Sequence, residues 1–166
     1  FDRLLVADGG LVPTGCSACE SYNLAPDGMS LTFKLRDGLT WHDGDDFTVE
    51  DVAWSIRTAI KAPRIHSVVV NTVNSIKGAE AFKNGSTDDV AGIKYSIADR
   101  TITLEMATLD PNILTTFSQF AILPKHKLGD VNPNQLQQSD FWQMPVGSGP
   151  FKVTEVKMND FAKLVP

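Results

Sequence analysis

Apolar and polar residues alternate through Leu31-Thr32-Phe33-Lys34-Leu35-Arg36, which places Leu31, Phe33 and Leu35 on one face of a half-buried strand. Asp37-Gly38 breaks that strand, Leu39-Thr40-Trp41 forms a short extended piece, and Asp43-Gly44 turns the chain again. The period then lengthens to that of a helix, with Val49, Val52, Ala53, Ile56 and Ile60 in one apolar stripe. Thr48 is a good N-cap, and Asp51 three residues on is a carboxylate version of the capping box. Phe47 and Val52 have the spacing of a hydrophobic staple, and Glu50 and Asp51 put negative charge at the positive end of the helix. Pro63 ends the helix near Ala62, because a residue before proline is pushed out of helical geometry.

The same reading extends to both sides. Residues 20–24, the turn Pro26-Asp27-Gly28 and residues 30–36 form a β-hairpin, while residues 9–13 are loop. Residues 68–76 are β-branched and fit a strand by composition. Residues 77–85 read as a short helix stopped by Gly85 in a left-handed cap. Ile93, Tyr95 and Ile97 alternate with polar residues, as do Ile102 and Leu104, and a turn at Asp99-Arg100 joins them as two antiparallel strands with one apolar face. Pro111 opens a helix over residues 112–120 with Ile113, Leu114, Phe117 and Phe120 inward. Residues 127–142 are a polar surface connection, and residues 151–156 form a strand. The fold class that follows is α/β of the α+β kind, a mixed and mainly antiparallel sheet with helices packed on it.

The run LTFKLRDGLTWHDGDDFTVEDVAWSI, residues 31–56, closely resembles the signature of the family 5 extracellular solute-binding proteins, the oligopeptide-, dipeptide- and nickel-type receptors of ABC importers. The pattern stands here as Leu35-Arg36, Asp37-Gly38, Trp41-His42-Asp43-Gly44 and Thr48-Val49-Glu50-Asp51-Val52. Leu123-Pro124-Lys125-His126 and Pro145-Val146-Gly147-Ser148-Gly149-Pro150-Phe151 are similar to further segments of that family. The resemblance runs through nearly the whole chain but covers less than half of a usual member. It implies the peripheral domain of a periplasmic-binding-protein-like receptor over residues 20–142. Residues 1–19 would then be a stub of the first ligand-binding lobe and residues 143–166 the return into it. Residues 68–76, in that family, are usually helical or irregular.

Composition narrows the picture. With 166 residues and 42% hydrophobic content the chain can bury a core, and its formal net charge of −5 with scattered Lys and Arg leaves no footprint for nucleic acid. No apolar run is long enough to span a membrane. Phe1 is not preceded by a signal segment, and residues 161–166 look like a strand cut in mid-course, as expected of a piece of something larger.

Four groups of residues invite chemistry. Cys16 and Cys19 are a redox dithiol, half a zinc site, a local disulfide or two free thiols; the surroundings read as extended rather than helical, which disfavours an activated thiol. Asp43, Asp45, Asp46, Glu50 and Asp51 lack the alternate-position spacing of a calcium loop and serve turns and a helix start. His42 has no nucleophile beside it, His66 and His126 show no paired metal spacing, and Gly147-Ser148-Gly149 is only loosely like a nucleophile elbow. Trp41, Trp54 and Trp142 read as packing residues.

No metal, no cofactor and no catalytic residue is therefore expected. The resemblance implies a binding component that captures a small solute, a peptide first of all. It would act as a monomer outside the cytoplasm, periplasmic or tethered to the cell surface by a lipid anchor, and pass the solute to ABC permease subunits by hinge closure. By position in the family, ligand contacts fall on two segments here, represented by Arg64, His66, Ser67 and Val69 and by Phe117 and Phe120. The rival readings are a thiol-disulfide module using Cys16 and Cys19, and an interaction domain without a transported ligand.

Overall fold

The computed structural model describes residues 1–63, 66–157 and 159–166. Strands β1 (Leu5–Ala7), β2 (Pro13–Cys16), β3 (Cys19–Leu24) and β4 (Ser30–Leu35) precede helix α1 (Val49–Lys61). Helices α2 (Ser67–Asn74) and α3 (Ala79–Lys83), strands β5 (Ile93–Ser96) and β6 (Thr101–Glu105), and helices α4 (Ile113–Gln119) and α5 (Lys125–Leu128) follow. Two 3₁₀ turns, Pro133–Gln138 and Asp140–Gln143, lead to a terminal hairpin of β7 (Lys152–Lys157) and β8 (Phe161–Val165).

The central sheet has the order β3-β4-β6-β5, antiparallel throughout. Alternation along β4 buries Leu31, Phe33 and Leu35, and the register sets Leu31 opposite Leu104 and Phe33 opposite Ile102. Both partners on β6 are buried too, so one face of the central strand pair is continuous apolar surface. Helix α1 covers it with Val49, Val52, Ala53, Ile56 and Ile60, all buried in the same core. Leu4 and Leu5, from the first strand, belong to that core as well. On the opposite face Thr32 and Thr103 hydrogen-bond across the strands at 2.9 Å.

The start of α1 is built as its residues dictate. The Thr48 side chain accepts a hydrogen bond from the Glu50 amide, and Asp51 Oδ2 accepts from the Thr48 amide at 2.9 Å, completing the capping box. Ala62 caps the other end, just before Pro63. Gly85, with φ of 81°, supplies the left-handed turn after α3.

Three expectations change. Residues 67–74 are helical despite their β-branched composition, because Val69, Thr72 and Val73 are buried at helical spacing and His66 caps the start. The apolar face of β5 closes only at Ile93. Tyr95 is 39% exposed with the Arg57 guanidinium over its ring, and Ile97, 53% exposed, already belongs to the turn bonded from Arg100 N to Ile97 O. The polar connection at 127–142 is tied down by its 3₁₀ turns, each with a side-chain cap, from Asn132 and Ser139, and by buried Leu128.

Thr48→Ala is expected to cost about 1 kcal/mol and lower the melting temperature by about 2–4 °C, with Thr48→Ser close to the parent. Asp51→Ala strands buried amide donors and should cost more, about 2–5 kcal/mol. Thermal denaturation of the three variants checks the ranking; equal losses for Asp51→Ala and Thr48→Ala would mean that the carboxylate matters only as a cap.

Candidate functional site

The two segments expected to face a ligand sit on α2 and α4, which pack against each other. Thr72 Oγ1 and Thr116 Oγ1 hydrogen-bond at 2.6 Å in the interior, and Thr72 also donates to Asp110. Asp110 in turn accepts the Asn112 amide at 2.9 Å at the entry to α4. The juncture is thus held by satisfied polar groups, as a buried contact of this kind requires.

The individual residues divide sharply. His66 is exposed, with Nδ1 accepting the Val68 amide at 3.4 Å, and Ser67 beside it is exposed at the first position of α2. Val69 is buried, and Phe117 is fully buried edge-on to Phe33, their ring centroids 5.3 Å apart. Phe120 is 9% exposed and lies edge-on to Phe117. Val69 and Phe117 therefore serve as core side chains, the reason being that α2 and α4 both turn these positions inward. Arg64 lies outside the described residues. A cleft of about 460 Å³ next to this region, lined among others by Pro63, Pro133, Asn134 and Leu136, joins the end of α1 to the first 3₁₀ turn. Its amide-bearing wall comes from the polar connection, where nothing in the residue pattern marked a cleft.

The His-Asp-Gly turn and the Gly-Ser-Gly segment meet. His42 Nε2 donates to the Gly149 carbonyl at 2.7 Å across 107 residues, and the His42 amide donates to the Gly147 carbonyl at 2.8 Å. Lys152 Nζ donates to the His42 carbonyl at 2.9 Å. A Cβ on Gly147 would come within 3.2 Å of His42 Cε1, so the backbone there passes as close as glycine permits. Since Nε2 carries the proton toward a carbonyl, Nδ1 is the bare nitrogen, buried without a hydrogen-bond partner. Ser148 Oγ accepts the Asp2 amide at 3.1 Å. The histidine and serine are parts of a joint, with no geometry of a base and nucleophile.

The acidic cluster is shared among three tasks. Asp51 serves the helix start. Glu50 pairs with Lys125 at 2.8 Å, and Asp43 lies 2.9 Å from both His126 and Lys127. Asp43, Asp45 and His126 hold ligating atoms within 4.8 Å of one another, a juxtaposition across 83 residues that spacing along the chain does not reveal. The ammonium of Lys127 on the same Asp43 oxygen already supplies a cation, so the arrangement is an ion-pair clasp between the turn and α5. Burial opposes ionisation of Asp43, but hydrogen bonds from Lys127 and His126 outweigh it and hold the carboxyl well below the usual range. The bond to Asp43 raises Lys127 correspondingly.

Cys16 and Cys19 are joined by a disulfide that links β2 to β3. Arg36 donates to both of their carbonyls, at 3.3 Å and 3.1 Å. The pair lies between strands and away from any helix start, which is the wrong setting for an activated dithiol.

The Asp43 clasp has a pH signature. A carboxyl held below the unfolded value of about 3.9 contributes its full stabilisation above that pH and loses it as the pH falls further. Asp43→Asn should therefore melt below the parent at neutral pH, with the gap closing as pH is lowered past about 4. Paired melting curves across that range test this, and a gap of constant size in acid would rule the clasp out as its source.

Comparison with known proteins places this architecture. Residues 17–166 match the model of bacterial extracellular solute-binding proteins, family 5 Middle. The oligopeptide-binding protein AppA of Bacillus subtilis is 29% identical over 150 residues, covering 89% of this chain and 25% of its own length. The structure of AppA in complex with a nonapeptide shares the fold with a TM-score of 0.80 at 24% identity, over 99% of this chain and 30% of that one. NikZ from Campylobacter jejuni in complex with Ni(L-His) superposes with a TM-score of 0.76 at 26% identity, over 99% of this chain and 29% of that one. The chain thus spans between about a quarter and a third of the length of these proteins. The match over residues 17–166 shows that the chain belongs to the bacterial extracellular solute-binding proteins of family 5, a family of binding components and not of enzymes.

Proposed function

We propose that this chain works as part of the substrate-capturing component of an ABC importer, which binds a small solute outside the cytoplasm and hands it to a membrane permease. A peptide is the favoured solute, since AppA, similar here over 89% of the chain, is named as an oligopeptide-binding protein and its structure holds a nonapeptide. The single observation that carries the reading is the family match over residues 17–166, together with likeness in fold across 99% of the chain. The Cys16–Cys19 disulfide fits an oxidising compartment outside the cytoplasm.

Within such a receptor, residues 20–142 serve as the peripheral domain. Residues 1–19 and 143–166 serve as parts of the first lobe. The terminal hairpin supports that division. Phe151, Phe161 and Leu164 are 57%, 45% and 55% exposed, more apolar surface than a free two-stranded ribbon stably offers to water. The ligand-facing edge is the exposed start of α2, His66 and Ser67, with Phe120 at the margin. Val69 and Phe117 support that edge from the core. The receptor acts as a monomer, and binding favours a closed state through contacts from both lobes.

Calorimetry with di- and oligopeptides on the receptor of family length and on the 166-residue chain tests this. Binding is expected for the longer protein and weak or absent binding for the shorter one; micromolar binding by the short chain would overturn the division of labour. In the longer protein His66→Asn, which keeps a cap acceptor at the start of α2, should weaken peptide binding without moving the melting temperature. Phe117→Ala should instead cost about 3–5 kcal/mol of stability. Loss of stability in the first variant, or unaltered affinity, would remove this edge from the site.

A further inference from the structure

Asn84 is the one asparagine in the sequence followed by glycine, and the fold leaves that dipeptide in an unusual setting. It lies at the end of the five-residue helix α3, exposed, with Gly85 and Ser86 exposed after it. The Asn84 carboxamide is turned forward along the chain. Its Oδ1 accepts two hydrogen bonds, from the Ser86 amide at 3.0 Å and from Ser86 Oγ at 2.6 Å. Nothing lies within 4 Å of the position a Cβ on Gly85 would take, so the peptide between the two residues is unshielded on that side. Among the described residues the Gly85 amide has one backbone partner, the Phe82 carbonyl at 3.3 Å. A short exposed helical end of this kind opens locally at small cost.

We propose that Asn84 is a site of spontaneous modification, in which the Asn84-Gly85 peptide cyclises and hydrolyses to an acidic residue, and that Ser86 promotes the reaction. The Gly85 nitrogen, giving up its proton to hydroxide, attacks Asn84 Cγ and forms a new N–C bond. The Cγ–Nδ2 bond breaks and nitrogen leaves as ammonia, giving a five-membered succinimide. Water then opens the ring at either carbonyl to give aspartate or isoaspartate, so the net change is one water consumed and one ammonia released, with no oxidation or reduction. Negative charge develops on Oδ1 in the tetrahedral step. The two donors from Ser86 already point at that oxygen, the arrangement that stabilises an oxyanion. Glycine at the next position removes the side chain that would otherwise impede the ring closure.

The product changes the surface. A carboxylate at position 84 stands at the C-terminal end of α3, where the helix dipole disfavours it. It also adds to Glu80 in the wall of an open groove of about 760 Å³ that Asn71, Asn74 and Thr108 line. Isoaspartate would in addition lengthen the backbone by one atom at the turn into Gly85.

The test is timed incubation of the 166-residue chain at mildly alkaline pH and physiological temperature, followed by ion exchange and peptide mapping by mass spectrometry. An acidic form should accumulate, mapped to residue 84, with both aspartate and isoaspartate present. Asn74, followed by Ser75, is the internal control and should stay amidated over the same period. Gly85→Ala should largely suppress conversion, and Ser86→Ala should slow it roughly three- to tenfold, the value of one lost hydrogen bond. Circular dichroism of each variant before incubation confirms an unchanged fold. Conversion at Asn74 as fast as at Asn84, or none at Asn84, would overturn the proposal. An unchanged or faster rate in Ser86→Ala would overturn the part assigned to Ser86.

Discussion

The carboxylate of Asp51 is the contact through which the three parts of the core region hold one another. Its Oδ2 accepts the Thr48 amide at 2.9 Å and the Trp41 indole N–H at 3.4 Å, while Oδ1 accepts the Lys125 amide at 2.9 Å from 74 residues away. One nearly buried side chain thus fixes the start of α1, the orientation of the Trp41 ring and the entry to α5. Each of those donors would otherwise be withdrawn from water without a partner, a loss of about 1–3 kcal/mol apiece. The apolar stripe of α1 supplies most of the burial energy but sets no unique angle of approach, since hydrophobic contact is non-directional. Asp51 supplies the direction.

The same economy governs the neighbouring turn. Trp41 is 1% exposed and packs on Phe47 with ring centroids 4.9 Å apart, so its two successors in the chain, His42 and Asp43, must leave the core on either side of it. His42 reaches the 147–149 backbone and Asp43 reaches α5. A stretch that resembles a catalytic signature when read as residue types is, in space, a three-way junction. Its histidine spends Nε2 on a carbonyl, and its aspartate takes the Lys127 ammonium and a hydrogen bond from His126. Polar residues packed this densely serve geometry, and His42 and Asp43 each find a partner far away in sequence.

That distance explains what the sequence did and did not disclose. The strand of residues 30–35 and the helix of 49–61 carry their own evidence, because alternation, a capping box and a following proline are all local. Residues 67–74 were ambiguous for an equally local reason: valines favour extended backbone, and only burial of Val69, Thr72 and Val73 against the rest of the molecule tips the balance. The pairing of Asp43 with His126, and of His42 with Gly149, leaves no periodic trace, since one side chain meeting one distant backbone atom has no repeat to detect. The burial of single residues in α2 and α4 is less legible than the segments that carry them. Whether Val69 faces inward depends on the phase of a helix whose existence was itself in doubt, and Phe117 was already assigned inward by its own periodicity.

The polar constraints of this chain are distributed so that its elements hold together as one body. The polar clasps are placed where α1, α5 and the 147–149 segment converge. A disulfide and Arg36 hold the corner between the small β1–β2 sheet and the central one. The Thr72–Thr116 bond holds α2 to α4. Helix α2 is thus joined to α4 and, through Phe117 on Phe33, to the middle of the sheet. Thr72, Thr116, Phe117 and Phe33 along that path are all buried, where close packing leaves little room for another rotamer. Stiffness of this kind fixes the exposed start of α2 relative to the sheet, so that any contact made there meets a surface already in place and spends no free energy on ordering it.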